Sequence, residues 1–268
     1  MNTELTDKEA RLKSIIARYP SAIVAFSGGV DSTLLAFICK QVLGSKVLLV
    51  TATSSTYPKK ELAEAIELAQ QFCAEHILIE SEELDIAEFV NNPVNRCYYC
   101  KSELFKKLIT ISKQKSIAII FDGNNASDVG DFRPGHAAAC ELGVVSPLMD
   151  AGLTKDDVRA LSRQYNLQTA GKPAMACLSS RFPYGETITR EKLARVERGE
   201  VALRDLGYTQ LRIRSHGDLA RVEFTEDEIE RAFENRKKIV EILKTAGFTF
   251  ACLDLQGYRV GSMNEAII

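Results

Sequence analysis

Apolar residues in the first two thirds of the chain fall into short unbroken runs, separated by longer stretches in which they recur every three or four positions. The runs Ala22-Ile-Val-Ala-Phe26, Val47-Leu-Leu-Val-Thr51, Ile77-Leu-Ile79 and Ile117-Ala-Ile-Ile-Phe121 predict strands covered on both faces. The stretches at Leu34–Ile38, Lys59–Phe72, Ser102–Ser112 and Thr154–Tyr165 predict helices, the last capped by Thr154 with Asp156 and Asp157 in its first turn. Before them, Thr6-Asp-Lys-Glu9 reads as a capping box that opens a helix through Ile15-Ile16. Strand alternating with helix predicts an α/β fold with a parallel sheet, whose ligands sit at the carboxyl ends of the strands.

The pattern changes at Gly171–Gly185, where two prolines and two glycines interrupt any periodicity and mark a long loop or a junction. Beyond it the chain predicts a charged helix over Arg190–Leu206, strands over Gln210–Ser215 and Leu219–Phe224, and a strand over Phe250–Leu255. Between the strands, one helix is expected from the cap Thr225-x-x-Glu228 to Ala246, with Ile229, Ala232, Phe233, Ile239, Val240 and Leu243 turned to a small sheet. This is a second, smaller α+β unit. The expected domains are therefore 1–172 and 173–268.

Chemistry enters where the first strand meets the first helix of the alternation, at Ser27-Gly-Gly-Val-Asp-Ser32. Two adjacent glycines let the backbone approach an anion, and the N–H groups of a helix start point outward with the positive end of the dipole behind them. Each such contact is worth about 0.3–1 kcal/mol, so several donors must converge. The Ser27 and Ser32 hydroxyls add donors, and Asp31 is the natural Mg²⁺ ligand beside a polyphosphate. An ordinary Gly-Gly turn is the plainer account. The strand-end segments Thr51-Ala-Thr-Ser-Ser55 and Asp122-Gly-Asn-Asn125 line the same crevice in this reading, with Ser54 and Gly123 as candidate nucleotide contacts. The hexapeptide has neither the lysine of a Walker A loop nor a G-x-G-x-x-G, which disfavours P-loop kinases and Rossmann enzymes.

Composition narrows the partners. With 268 residues and 46% hydrophobic content the chain can build a substantial core, and 34 basic against 36 acidic residues leave no global field for nucleic acid or an anionic membrane. No stretch resembles a signal peptide or reaches membrane-spanning length, so a cytoplasmic protein is expected. Seven cysteines in a reducing compartment then predict core thiols together with metal-binding or catalytic thiols. Cys39, Cys73 and Cys252 read as core residues, and Cys140 carries little signal. Cys97-Tyr-Tyr-Cys100, placed just before a predicted helix, and Cys177 in the junction stand apart. Three thiolates fit a zinc site or a [4Fe-4S] cluster with one open iron, and the residues alone leave both open; a redox pair would leave Cys177 unused.

Ser27–Ser32 resembles the PP-loop of the ATP pyrophosphatase superfamily, whose members split ATP into AMP and pyrophosphate to adenylate an oxygen. Together with Ala176-Cys-Leu-Ser-Ser-Arg-Phe-Pro-Tyr-Gly185, Phe132-Arg-Pro-Gly135 and Leu253-Asp-Leu-x-Gly-Tyr-Arg259, the chain resembles the LarE family, over nearly its whole length. The resemblance implies a PP-loop pyrophosphatase domain followed by an α+β domain for substrate and oligomerisation. It implies an ATP- and Mg²⁺-dependent sulfur insertase that adenylates the carboxylates of pyridinium-3,5-biscarboxylic acid mononucleotide. Sulfur then replaces oxygen, and two rounds yield the bis-thiocarboxylate for the nickel-pincer cofactor. One form of the family sacrifices a cysteine that aligns with Ala176 here. The presence of Cys97, Cys100 and Cys177 instead resembles the cluster-dependent form, in which three cysteines hold [4Fe-4S] and deliver sulfur obtained from sulfide or another donor.

The resemblance also assigns roles. Ser27, Gly28, Gly29, Ser32, Ser54 and Gly123 fall to ATP, Asp31 to magnesium, and Lys101 to the adenylation transition state unless it is a solvated lysine at a helix start. Asp128 is either a metal or substrate group or a turn residue. Arg181 suits a carboxylate or phosphate fork, and Arg212 and Arg214, two apart on one strand face, fall with Glu200 to the substrate phosphate. Surface salt bridges from those arginines to Glu200 or Glu223 are the plainer account, and Arg190, Arg195 and Arg198 read as a solvated helical face. A tRNA thiolase of the same superfamily is the alternative function, disfavoured by the near-neutral charge. A homohexamer is the implied assembly.

Overall fold

The computed structural model describes residues 3–128, 134–173, 176–259 and 261–265. Along the chain, α1 (Thr3–Ile16), β1 (Ala22–Ala25), α2 (Val30–Leu43), β2 (Val47–Thr53), α3 (Lys59–Gln71) and β3 (Glu75–Glu80) alternate. A four-residue helix α4 (Ala87–Val90) precedes α5 (Arg96–Lys115), β4 (Ile119–Phe121), α6 (Pro134–Glu141), α7 (Pro147–Asp150) and α8 (Lys155–Gln164). The remainder comprises α9 (Arg190–Asp205), β5 (Leu211–His216), β6 (Leu219–Phe224), α10 (Ile229–Glu234), α11 (Arg236–Ala246) and β7 (Phe250–Leu253). Two compact units divide these elements: Met1–Ile86 with Asn95–Met175, and Ala87–Val94 with Ala176–Ile268.

The first unit is built on a parallel sheet of order β3-β2-β1-β4. The inner strands β1 and β2, with β4, are mostly apolar because both faces are covered, whereas the edge strand β3 carries Glu75, His76 and Glu80. Ala22, Val24, Val47 and Leu49 pack with Leu12, Ile16, Leu34, Ile38 and Leu161 on one side, while Ile23, Leu48, Val50 and Ile120 meet Phe105 and Leu108 on the other. Full burial of such a side chain contributes roughly 1.5–3 kcal/mol, so a slip of one residue in register would lose many of them together. The order reverses at β1, whose neighbours are β2 on one side and β4 on the other. A crevice therefore opens beyond the carboxyl ends of β1 and β4, the usual ligand position in such sheets.

In the second unit, β5 and β6 form an antiparallel pair and β7 lies parallel to β6 after the α10–α11 crossover. That crossover is two helices, not the single one expected from Thr225 to Ala246. A 3₁₀ turn occupies Glu226–Glu228, and α10 ends at Asn235, whose side-chain amide donates to the Arg231 carbonyl at 2.9 Å. Asn is a residue whose side chain competes with the backbone ladder in this way. Ala232, Ile239 and Leu243 are buried as expected, but Phe233 is 62% exposed and Val240 37%.

Other expectations also change. Helix α1 already runs at Thr3, so Thr6 lies inside it and opens nothing. Cys97 and Cys100 lie in the first turns of α5 rather than ahead of a helix. Cys39 is in the core, whereas Cys73, which follows the end of α3, and Cys252 are exposed. Arg195 is no solvated residue: its guanidinium stacks 4.2 Å from the centre of the Phe248 ring and reaches the Ser215 hydroxyl. Thr154 caps α8 with a reciprocal box to Asp157, as the sequence predicts. No helix among the described residues is long and apolar enough to cross a membrane.

Candidate functional site

At the end of β1 the chain turns sharply through Ser27–Gly29 into α2. Gly28 has a φ of +62°, and a Cβ there would lie 2.9 Å from the Ala65 Cβ, so both backbone and space require glycine. Ser32, buried, holds the turn from within: its hydroxyl donates to the Gly29 carbonyl at 3.2 Å and accepts from the Ser27 amide at 3.2 Å. Ser27 is exposed, and its hydroxyl lies 3.1 Å from the Ser32 hydroxyl and accepts from the Gly29 amide at 3.4 Å. The β4 end packs directly on this turn, because a Cβ on Gly123 would sit 3.2 Å from the Ser32 amide nitrogen and 3.5 Å from the Asp31 Cβ. Ser27, Gly28, Gly29, Asp31, Ser32 and Gly123 are thus brought together at the switch point of the sheet.

Asp31 is engaged on both carboxylate oxygens. The Asn125 amide donates to Oδ1 at 3.1 Å, and the Lys155 ammonium forms an ion pair with Oδ2. Asn125 is itself set by Asp128, whose carboxylate accepts from the Asn125 backbone amide at 3.0 Å, which makes Asp128 a turn residue here. One carboxylate beside a phosphate cradle is a donor set that fits magnesium, which takes one or two protein carboxylates and completes its shell with phosphates and water.

The support of the loop comes largely from residues that sequence reasoning missed. The Tyr57 hydroxyl donates to the Ser27 carbonyl at 2.6 Å, and burial, with Glu61 and Glu64 nearby, pushes its pKa up, so it remains a donor. Lys172 reaches the Gly28 carbonyl at 3.3 Å while pairing with Glu61 at 2.6 Å and Glu64 at 2.7 Å. Burial works against that ammonium, but the two carboxylates prevail and raise its pKa. Ser54 lies at the end of β2 and donates to Glu83, a carboxylate 1% exposed that also accepts from Thr56 at 2.7 Å and from Ser81. Its hydroxyl therefore holds the wall of the crevice. The one sequence signal for Lys155 is a cation directly after a helix cap, where the dipole disfavours it.

Cys97 and Cys100 are separated by three positions and share a face of α5, followed by Lys101. The Lys101 stem packs under α6, where a Gly135 Cβ would be 3.0 Å away, and its ammonium lies 5.5 Å from the centre of the Phe105 ring. Asp122, 2% exposed, accepts from Ser146 at 2.6 Å; burial pushes its carboxyl above the usual range, against the Ser146 bond and the Lys101 charge. On α6 the His136 ring stands 3.5 Å from the Cys140 sulfur. Phe132 and Arg133 of the quoted motif lie outside the described residues.

Cys177 is exposed and precedes the 3₁₀ turn Leu178–Arg181 of the second unit. Thiolate donors fit an iron–sulfur cluster or zinc chemically. Among the described residues no three such ligands converge as a metal site.

Arg181, Arg212 and Arg214 are buried, which overturns the picture of surface pairs. Arg181, 2% exposed, grips Glu200 with two nitrogens at 2.9 and 3.1 Å and gives the third to the Ala176 and Cys177 carbonyls at 2.8 and 3.0 Å. No part of its fork faces outward, so it holds the Cys177 turn rather than presenting an open anion clamp. Glu200 also accepts from Arg204 at 2.8 Å; burial opposes its charge, yet the Arg181 and Arg204 guanidinium groups hold its pKa down to about 2. Arg214 pairs with Glu223 at 2.7 Å, and Ser262 donates to the same carboxylate at 2.7 Å. Burial and the Arg181 charge push the pKa of Arg212 down, as expected of a cation set among other cations.

Residues 5–109 match the NAD synthase family. An uncharacterized protein of Synechocystis is 40% identical over 98% of this chain and 99% of its own. The pyridinium-3,5-bisthiocarboxylic acid mononucleotide synthase of Lactiplantibacillus plantarum is 35% identical over 98% of this chain and 96% of its own. More distantly, an uncharacterized protein of Methanocaldococcus jannaschii is 28% identical over 88% of this chain and 90% of its own.

Proposed function

The chain belongs to the LarE family of PP-loop proteins, and from that premise we propose that it is an ATP-dependent sulfur insertase acting on pyridinium-3,5-biscarboxylic acid mononucleotide. The observation that carries this reading is the glycine turn with Asp31 at the sheet's switch point, in a chain similar over its full length to the L. plantarum synthase. A substrate carboxylate oxygen attacks the α-phosphorus of ATP, and pyrophosphate leaves. Sulfur then adds to the acyl carbon, the tetrahedral adduct collapses, and AMP departs with the oxygen. Repetition at the second carboxylate gives the bis-thiocarboxylate.

The chain's own groups fit the demands of the first step. Loop amides at the start of α2 and the Ser27 hydroxyl receive phosphate oxygens, and Asp31 would hold a magnesium ion, which would supply positive charge to the pyrophosphate leaving group. Lys101, with the buried Asp122 in its electrostatic neighbourhood, meets charge developing on the acyl phosphate. Arg212 and Arg214 receive the substrate phosphate; Glu223 sets Arg214, and the Glu200 charge supports Arg212. Cys97, Cys100 and Cys177 would hold a [4Fe-4S] cluster that supplies a transferable sulfide. The first unit is assigned to ATP, the second to substrate and assembly as a homohexamer, and the enzyme to the cytoplasm.

Purified protein supplied with ATP, Mg²⁺, sulfide and the biscarboxylate should release AMP and pyrophosphate and form more than one bis-thiocarboxylate per chain. Absence of pyrophosphate release would sink the assignment, and loss of one sulfur from a cysteine would replace catalysis by sacrifice. Anaerobic protein should contain iron and acid-labile sulfide that Cys97→Ala, Cys100→Ala and Cys177→Ala each abolish. Zinc without iron would overturn the cluster.

A further inference from the structure

We propose that Lys155 and the magnesium of the nucleotide exchange places on Asp31. In the resting site the Lys155 ammonium occupies the carboxylate, and when Mg·ATP arrives it moves onto the phosphates. The proposal rests on the adenylation reading and adds a residue and an order of events to it.

Charge counting leads to it. Residues 27–32 contain no lysine or arginine, so the loop brings only dipoles and the negative charge of Asp31 to a polyphosphate. A cation must come from elsewhere, and the ammonium paired with the loop's carboxylate is that of Lys155, 124 positions away in sequence. Its backbone is firmly anchored. It is the first residue of α8, directly after the Thr154 cap, and its amide donates to the Ser127 hydroxyl at 3.0 Å. From that anchor a four-carbon stem carries the ammonium to Asp31.

The location is electrostatically poor for a resident lysine. The positive end of the α8 dipole repels an ammonium in the first turn, so an anion must hold it there. Asp31 does so now. Asn125 takes one lone pair of Oδ1 and Lys155 one of Oδ2, and an ammonium at the carboxylate repels an arriving divalent ion, so metal binding favours displacement of Lys155. Displacement is inexpensive, since the side chains are 21% and 32% exposed and solvent-accessible pairs are weak. The released ammonium then finds three negative phosphates beside the same helix end. The pair thus keeps Asp31 oriented between turnovers and disfavours a divalent ion that arrives without nucleotide.

The test uses Mn²⁺ as a spectroscopic substitute for Mg²⁺ and α,β-methylene-ATP, which cannot be cleaved at the adenylating bond. Lys155→Met keeps the stem and removes the charge; Lys155→Gln serves if the first variant folds poorly by circular dichroism. Titration followed by electron paramagnetic resonance should show Mn²⁺ alone binding up to about fivefold more tightly to the variant than to wild type, the most that a solvent-accessible pair can withhold. Binding of the Mn·nucleotide should weaken by a similar factor. Lys155→Arg should keep the exclusion of free Mn²⁺. Mn²⁺ affinity that is unchanged or weaker in Lys155→Met, with nucleotide binding intact, overturns the exchange alone. Nucleotide affinity that does not fall overturns the move onto phosphate. A wild-type protein that binds no Mn·nucleotide overturns the adenylation reading and the exchange with it.

Discussion

At the glycine turn of the first unit the Asp31–Lys155 pair is partly open to water, whereas the Arg181–Glu200 pair of the second unit is sealed from it. Lys155 and Asp31 are 32% and 21% exposed at their side chains; Arg181 and Glu200 are 3% and 2%. The difference follows from what each pair costs to break. A solvent-accessible pair is worth about 0–1 kcal/mol, and its members are rehydrated when they part. A buried pair, once broken, leaves a charge with neither water nor partner, at a cost of about 3–5 kcal/mol. The first arrangement suits a site that trades ligands at every turnover. The second suits a frame whose geometry must persist, and within it Arg212 is the cation whose charge is disfavoured by burial and by Arg181.

The largest effect tests the sealed half. Glu200→Gln deprives Arg181 and Arg204 of their shared carboxylate and should destabilise the chain by about 3–5 kcal/mol, read from urea unfolding of the full-length protein. The wild type also carries an acid signature. Because the folded pKa of Glu200 is held down to about 2 against an ordinary 4.5, its contribution is complete above the ordinary value and is lost as pH falls from there through about 2. The variant should lack that component of acid unfolding. A cost below about 1 kcal/mol would mean that the network is as loose as the loop.

Gly28→Ala comes next. The positive φ alone costs about 1–2 kcal/mol for a non-glycine residue, and the new methyl meets Ala65 at 2.9 Å. A drop of about 2 kcal/mol in stability is expected, with loss of nucleotide binding measured by calorimetry. Gly123→Ala, with its nearest contact at 3.2 Å to the Ser32 amide, should cost less stability, about 1 kcal/mol, yet still weaken nucleotide binding, because the β4 end would push against the turn. Equal nucleotide affinity in wild type and Gly123→Ala would separate the β4 end from the site.

These positions also show what a chain makes legible. Gly28, Gly29, Asp31 and Ser32 belong to one local turn whose strand and helix flanks are apolar in the right periods, so sequence alone reads them. The α8 cap at Thr154 is equally local. Lys155, Tyr57, Lys172 and Glu83 stay hidden because each acts on the loop or its wall across tens of residues, through a fold that no period announces. The break at Asn235 depends on one side chain competing with the helix ladder, and a continuous apolar stripe masks it. Cys73 and Cys252 mislead because an apolar neighbourhood in sequence is not burial in space. Arg212 and Arg214 share a strand in the sequence pattern, but their depth follows only once α9 is seen to bring Glu200 against β5.

The smallest expected effect is the most discriminating for the open half. Tyr57 touches the loop through one hydroxyl, 2.6 Å from the Ser27 carbonyl, and burial keeps that hydroxyl protonated and able to donate. Tyr57→Phe removes one net hydrogen bond, about 0.5–1.5 kcal/mol, without opening a cavity. If the turn is held in its phosphate-receiving shape only weakly, as its exposed charges suggest, unfolding should report less than about 1 kcal/mol. Nucleotide affinity should then fall by several-fold, because binding must supply the order that Tyr57 formerly gave. An unfolding loss with unchanged nucleotide affinity would show instead that the loop is as fixed as the arginine frame, and the contrast between the two halves would fail at its most accessible residue.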